Sequence, residues 1–152
     1  MTARVVTRVR DQQGFTLIEL LVVIMIIGIL AAIAIPSLLN QRGKATDASA
    51  KELARSAAQA AETYSTDHAG LYTGLELSVV HEYEPAIQTT AGNGNAYLTL
   101  AKAEESGRGY VVTATSTNGD TFTYTKKENG EVSRTCVAKA ASNKGGCQTG
   151  TW

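Results

Sequence analysis

Glu19 is an acid among hydrocarbons. It is the single charge in the 25-residue stretch Phe15–Leu39, FTLIELLVVIMIIGILAAIAIPSLL. A carboxylate near the middle of a membrane-spanning helix costs about 2.5–3.5 kcal/mol, so such a group faces a partner. Counting charges, none lies between Glu19 and Asn40 to serve as that partner, and Arg42 is 23 positions on, roughly 35 Å along a helix. The positive mate is therefore expected from another molecule or from a terminus made by cleavage. A cut after Gly14 would create a free amine at Phe15, one helical turn before Glu19. The pair could then neutralise within one subunit, or between staggered neighbours, where it would set an axial register.

The remaining reactive residue types form no pattern with an obvious chemistry. No phosphate loop, dinucleotide fingerprint, zinc-protease motif or nucleophile elbow is present in the sequence. Glu82, Glu84 and the Glu104-Glu105 pair read as solvated surface. Asp120 lacks the D-x-D company of a calcium loop and reads as the far side of an Asn118-Gly119 turn. Cys136 and Cys147 are too far apart for a C-x-x-C site, and His68 and His81 are distant from them, so no metal or cofactor is expected. The six tyrosines read as core and sheet residues, not as an electron relay. Lys126, Lys127, Lys139 and Lys144 are candidate contacts for DNA, although four cations are as well explained by a solvated surface. No catalytic residue is expected, and the chain reads as a non-enzyme.

The elements that must position Glu19 follow from how the apolar residues are spread. The chain is 152 residues long, balances 14 basic against 14 acidic residues, and is 43% apolar and only 18% charged. That length suits one domain, and the zero balance argues against a strong basic field for nucleic acid. Residues 1–14 carry Arg4, Arg8 and Arg10 against Asp11, and the remainder holds eleven basic and thirteen acidic residues. The apolar stretch would make about 37 Å of helix, enough for a hydrocarbon core near 30 Å, with no polar stripe on any side. Its basic flank stays cytoplasmic, which sends the C-terminal part outward. A secretory signal cut at Ala32-Ile33-Ala34 is the bland alternative, but the run is too long for an h-region and contains Glu19. A plain single-span anchor leaves Glu19 unexplained.

The segment Gly14-Phe15-Thr16-Leu17-Ile18-Glu19, followed by LLVVIMIIGILAAIAIP, resembles the class III signal of type IV prepilins and their pseudopilin relatives. The resemblance is close over about 40 residues and architectural beyond them. It implies cleavage after Gly14 by a prepilin peptidase, N-methylation of Phe15, and a meeting of Glu19 with the Phe15 amine of a neighbouring subunit. It further implies a cytoplasmic assembly ATPase and a platform protein as partners, beside self-assembly.

The outer part completes an α+β reading. Pro36 should kink the helix and Gly28 should loosen the same half, both within the part used for assembly. Ala50, Leu53, Ala54, Ala57, Ala61 and Tyr64 then form a stripe at helical spacing, a close-approach face for a sheet, and the helix should end near His68–Gly70. Leu71–Gly94 reads as a loop with at most a short helical turn. Tyr97–Leu100, Tyr110–Thr115, Thr121–Thr125 and Val132–Val137 read as strands, with hairpin signals at Asn118-Gly119 and Asn129-Gly130. Facing an oxidising compartment, Cys136 and Cys147 should pair, and a C-terminal disulfide loop recurs in pilins. The expected organisation is a leader over 1–14, a membrane and filament-core half-helix over 15–40, and an amphipathic half-helix over 41–68. A connecting αβ-loop over 69–95 and a four-stranded antiparallel meander with the disulfide loop over 96–152 follow.

The functional expectation is a type IV pilin, made as a single-pass precursor in the cytoplasmic membrane with its C-terminus outside. It would then be polymerised into an extracellular filament for motility, adhesion or DNA uptake. The alternatives are a pseudopilin of a type II secretion system and a membrane-anchored binding domain that never polymerises.

Overall fold

The computed structural model describes residues 14–139, 146–147 and 149–152. The expected basic leader and Lys144 lie outside the described residues. Two compact units divide between Ser37 and Leu38. Helix α1 runs from Leu17 to Asp67 and remains helical through Pro36 and Gly43.

Up to Ser37 the helix has no side of its own to bury. Phe15 is 91% exposed, and Leu20, Ile24, Ile27 and Leu30 are exposed too. The side chains are large and apolar on every face, and none of the described residues covers them.

The unit from Leu38 onward is built on the second half of α1. Ala50, Ala54, Ala57 and Ala61 are fully buried there. Alanine is the best helix former, and its small side chain lets strands lie close. The buried set is wider than the sequence stripe: Asp47, Ala58 and Ala60 join it, while Leu53 is only partly covered. After Asp67 the chain turns sharply. Ala69 takes a left-handed φ of 55°, and the Gly70 N–H reaches back to the Ser65 carbonyl at 2.7 Å, which satisfies one of the last free carbonyls of the helix.

A short helix, α2 (Leu77–Tyr83), interrupts the connection and packs against the first strand, burying Val80. Four strands follow: β1 (Tyr97–Ala103), β2 (Tyr110–Thr115), β3 (Thr121–Lys126) and β4 (Val132–Val137). They pair antiparallel in chain order. β1 extends three residues past the stretch expected from sequence. Ala101, Lys102 and Ala103 have weak strand propensity, but Tyr110–Val112 opposite supply the ladder. Both Asn-Gly signals are hairpins. Ser116 accepts from the Gly119 N–H and Lys127 from the Gly130 N–H, each at 2.9 Å, with Gly119 at φ 89° and Gly130 at φ 82°. Only the glycine needs the left-handed region, which is the three-residue hairpin loop with a following bulge.

The core joins the alanine stripe to one face of the sheet. Leu98, Tyr110, Val112, Ala114 and Phe122 are all fully buried. Phe122 pairs with Ala114 on one side and Cys136 on the other. Cys136 and Cys147 are joined by a disulfide, with their Cα atoms 5.7 Å apart. The outer edge of β4 is covered by the residues that follow it. Thr135 bridges Thr151, and the Cys136 N–H donates to the Gly150 carbonyl at 2.9 Å, so part of that edge is not left open for pairing.

Candidate functional site

Thr16 and Glu19 open the helix as a reciprocal cap. The Thr16 N–H and hydroxyl both donate to Glu19 Oε2, at 2.9 and 2.7 Å, and the Glu19 N–H reaches Thr16 Oγ1 at 3.3 Å. This is a capping box: the T-x-x-E spacing lets two side chains satisfy amide groups that the first helical turn cannot. Sequence accounting that looked only for charges missed this partner, although the spacing was there to be read. Glu19 therefore has two hydrogen-bond donors within its own chain, and among the described residues it has no counter-charge. Both residues remain exposed, and among the described residues the second carboxylate oxygen has no donor.

Behind this cap the helix presents an apolar column. α1 is long and apolar enough, within its first part, to cross a membrane. Gly28 sits where an added Cβ would meet nothing within 4 Å, so its smallness is not used inside the chain. Gly14 is likewise unencumbered and exposed, as is Phe15. Pro36 lies within the helix.

The outer unit carries two polar clusters that the sequence did not reveal. In the first, Lys126 Nζ donates to both oxygens of Glu62 at 2.8 Å and to Tyr72 Oη at 2.9 Å. Tyr72 and Tyr110 donate to the same carboxylate, at 2.8 and 3.1 Å. Burial alone would raise the Glu62 carboxyl, but the hydrogen bonds from Lys126 and Tyr72 outweigh it and hold the group below its usual range. Burial, then the Glu62 charge, push the Tyr110 phenol well above its ordinary value. Lys126, one of the candidate DNA contacts, is thus bonded inside the subunit. Lys127 is ion-paired with Glu131 at 3.0 Å.

The second cluster contains Asp47 and Asp120, which are 0% and 2% exposed. Asp120 does close the far side of the Asn118-Gly119 turn, as its sequence suggests, but it is buried because the hairpin folds back on α1. Burial, opposed by the Lys139 N–H and reinforced by the Asp47 carboxyl, raises Asp120 above the ordinary aspartate value. Among the described residues no group of three or more His, Cys, Asp or Glu is gathered as a metal site would require.

A shallow groove of about 350 Å³ lies between α1 and β2–β4, lined by Arg55, Glu62, Tyr110, Tyr124 and Arg134 among others. Arg55 and Arg134 both stack on Trp152, 5.3 and 5.8 Å from its ring centre, within cation–π range.

Residues 9–35 match the family model described as the prokaryotic N-terminal methylation motif. The chain is 31% identical over 138 residues to the type IV wide pilus major component PilA4 of Thermus thermophilus, covering 91% of this chain and 98% of that protein. It is 31% identical over 125 residues to the type II secretion system core protein G of Pseudomonas aeruginosa, covering 80% and 87%. A fimbrial protein of Neisseria meningitidis is 28% identical over 142 residues, covering 88% and 77%. No solved structure gives a significant match.

Proposed function

The chain belongs to the family of type IV pilins and their pseudopilin relatives, and on that footing we propose that it is the structural subunit of a type IV pilus. The observation that carries this reading is the apolar column from Phe15 to Leu39, exposed on every face and headed by one carboxylate. A single chain cannot cover such a column; lipid can, and so can a bundle of identical columns. Passing from lipid to bundle removes little further surface from water, so the net gain on extraction is small. That favours an assembly driven from outside, by a cytoplasmic ATPase acting through a platform protein.

In this reading a prepilin peptidase cuts after Gly14 and the new Phe15 amine is methylated. The fixed cap at Thr16 holds one Glu19 oxygen in place. The other oxygen takes the Phe15 ammonium of a neighbouring subunit, which supplies the missing counter-charge. Gly28 and Pro36 act in the same bundle: Gly28 permits close approach, and Pro36 removes one helical hydrogen bond where the column must adapt. The precursor spans the cytoplasmic membrane with the sheet unit outside, and the role is structural instead of catalytic. The near-complete span shared with a wide pilus component and the C-terminal disulfide support a pilin. The similarity to a secretion-system core protein supports the pseudopilin as second reading.

Mass analysis of the mature protein tests the processing: a chain starting at N-methylated Phe15 is expected, and a start at Ile35 or an uncut chain would refute it. Electron microscopy of sheared cell surfaces separates the two family readings, long fibres supporting the pilin. Glu19→Ala should leave cleavage intact and reduce filament yield; an unchanged yield would contradict the role given to Glu19.

A further inference from the structure

The Asp47–Asp120 cluster has no part in the spine or in processing, and it sits where three segments of the outer unit meet. Asp47 belongs to α1. Asp120 ends the β2–β3 hairpin loop, whose Asn118 side chain donates to the Gly43 carbonyl at 3.2 Å and to Thr46 Oγ1 at 2.6 Å. The third segment is the disulfide loop, whose Gly146 N–H donates to Asp47 Oδ2 at 2.7 Å; on its other side the Lys139 N–H donates to Asp120 Oδ1 at 2.8 Å. Each carboxylate thus has one oxygen held by a backbone amide.

What remains is unbalanced. Among the described residues, Asp120 Oδ2 is buried without a hydrogen-bond partner, as is Ser116 Oγ on the same hairpin. Asn118 Nδ2 also donates to Asp47 Oδ1 at 3.5 Å, which brings the hairpin that carries Asp120 onto Asp47, and the Asp47 carboxyl helps to raise Asp120. Two ionised carboxylates cannot share a sealed site without a positive occupant. Among the described residues, the cations facing the pair are Lys51 on α1 and Lys139 after β4. Lys51 Nζ donates to the Gly146 carbonyl at 2.8 Å, while the Lys139 side chain lies over Gly119. Among the described contacts neither forms an ion pair with Asp47 or Asp120. Ser116 and Asn118 on the hairpin are neutral.

We propose that Asp47 and Asp120 share one proton, carried on Asp120 Oδ2 and donated to the Asp47 carboxylate, and that this shared proton is a pH-sensitive latch fastening the hairpin and the disulfide loop to the helix. Opening the latch lets Asp120 ionise in water and so releases the proton. Between the ordinary aspartate value near 3.9 and the raised value of Asp120 in the closed state, alkali therefore loosens the latch and acid tightens it.

The test is amide hydrogen exchange of the full mature chain in detergent micelles, read at Gly146 and Lys139 across a pH series and corrected for intrinsic rates. Wild-type protection should fall by up to about tenfold per pH unit within that window, since one proton leaves on opening. Asp120→Asn places an amide donor where the proton sat, so its protection should be high and flat. A parallel slope in wild type and variant overturns the latch. Added calcium that raises protection in wild type at fixed pH, and not in Asp120→Asn, also overturns it in favour of a metal occupant. Should the variant not fold, carbon NMR of the Asp120 carboxyl in wild type decides. A midpoint above the ordinary value that returns to it in Asp47→Asn supports the latch, and an ordinary midpoint in wild type overturns it.

Discussion

Replacing Glu62 by glutamine removes one charge from the most densely bonded side chain of the outer unit and leaves its shape. In the native protein that carboxylate receives two bonds from Lys126 and one each from Tyr72 and Tyr110. Charge-assisted bonds contribute about 1.5–3 kcal/mol when buried. Here the Glu62 side chain is 44% exposed and Lys126 27%, which moves the pair toward the 0.2–1 kcal/mol of surface ion pairs. Glutamine also leaves the half-buried Lys126 ammonium without a counter-charge. Together these place the loss at about 1–2 kcal/mol near neutral pH, or roughly 5–10 °C in Tm for a unit of this size. Circular dichroism melts of the full mature chain in detergent, at a series of pH values, measure it.

The pH series carries the mechanism. Glu62 is held below its usual range in the folded chain, against about 4.3 when unfolded. Its contribution is therefore complete above the unfolded value and is lost as pH falls through the folded one. The gap between wild type and Glu62→Gln should be constant from pH 5 to 7, shrink below about pH 4, and close in strong acid. A gap that persists undiminished in acid would mean that shape, and not charge, is at stake. No gap at neutral pH would refute the network altogether.

Phe122→Ala should cost about 3–5 kcal/mol in denaturant unfolding, because the ring is fully buried between Ala114 and Cys136 and lies edge-on to Trp152 at 6.1 Å. Thr16→Val should loosen the first turn of α1 by about 1 kcal/mol, seen as faster amide exchange at Leu20, whose N–H bonds the Thr16 carbonyl at 3.3 Å; Thr16→Ser should restore protection. Cys136→Ser should lower stability by about 3 kcal/mol in the chain-entropy picture, and dithiothreitol should have no further effect on its melting curve.

Much of this molecule is legible in its residues. The apolar stretch ended by Pro36 and polar residues, the G-F-T-L-I-E motif, the alanine stripe and two Asn-Gly hairpins are local patterns, and local patterns fix helix, strands and turns without reference to distant chain. The limits of the strands were less so: β1 reaches Ala103 only because Tyr110–Val112 lie opposite, a cross-strand effect outweighing weak propensity. The capping box at Thr16 is readable too, in the T-x-x-E spacing that opens the helix.

What the tertiary structure decided is the fate of individual charges. Asp120 looks like any turn residue in sequence, and it is buried because a helix residue 73 positions earlier, Asp47, waits at the place where the hairpin lands. Lys126 looks like free surface, and it is spent on Glu62 because β3 ends over α1. Sequence determines periodicity, which repeats every two or 3.6 residues and needs only neighbours. Electrostatic partnership falls off with distance in space, and only the folded chain settles which charges are near.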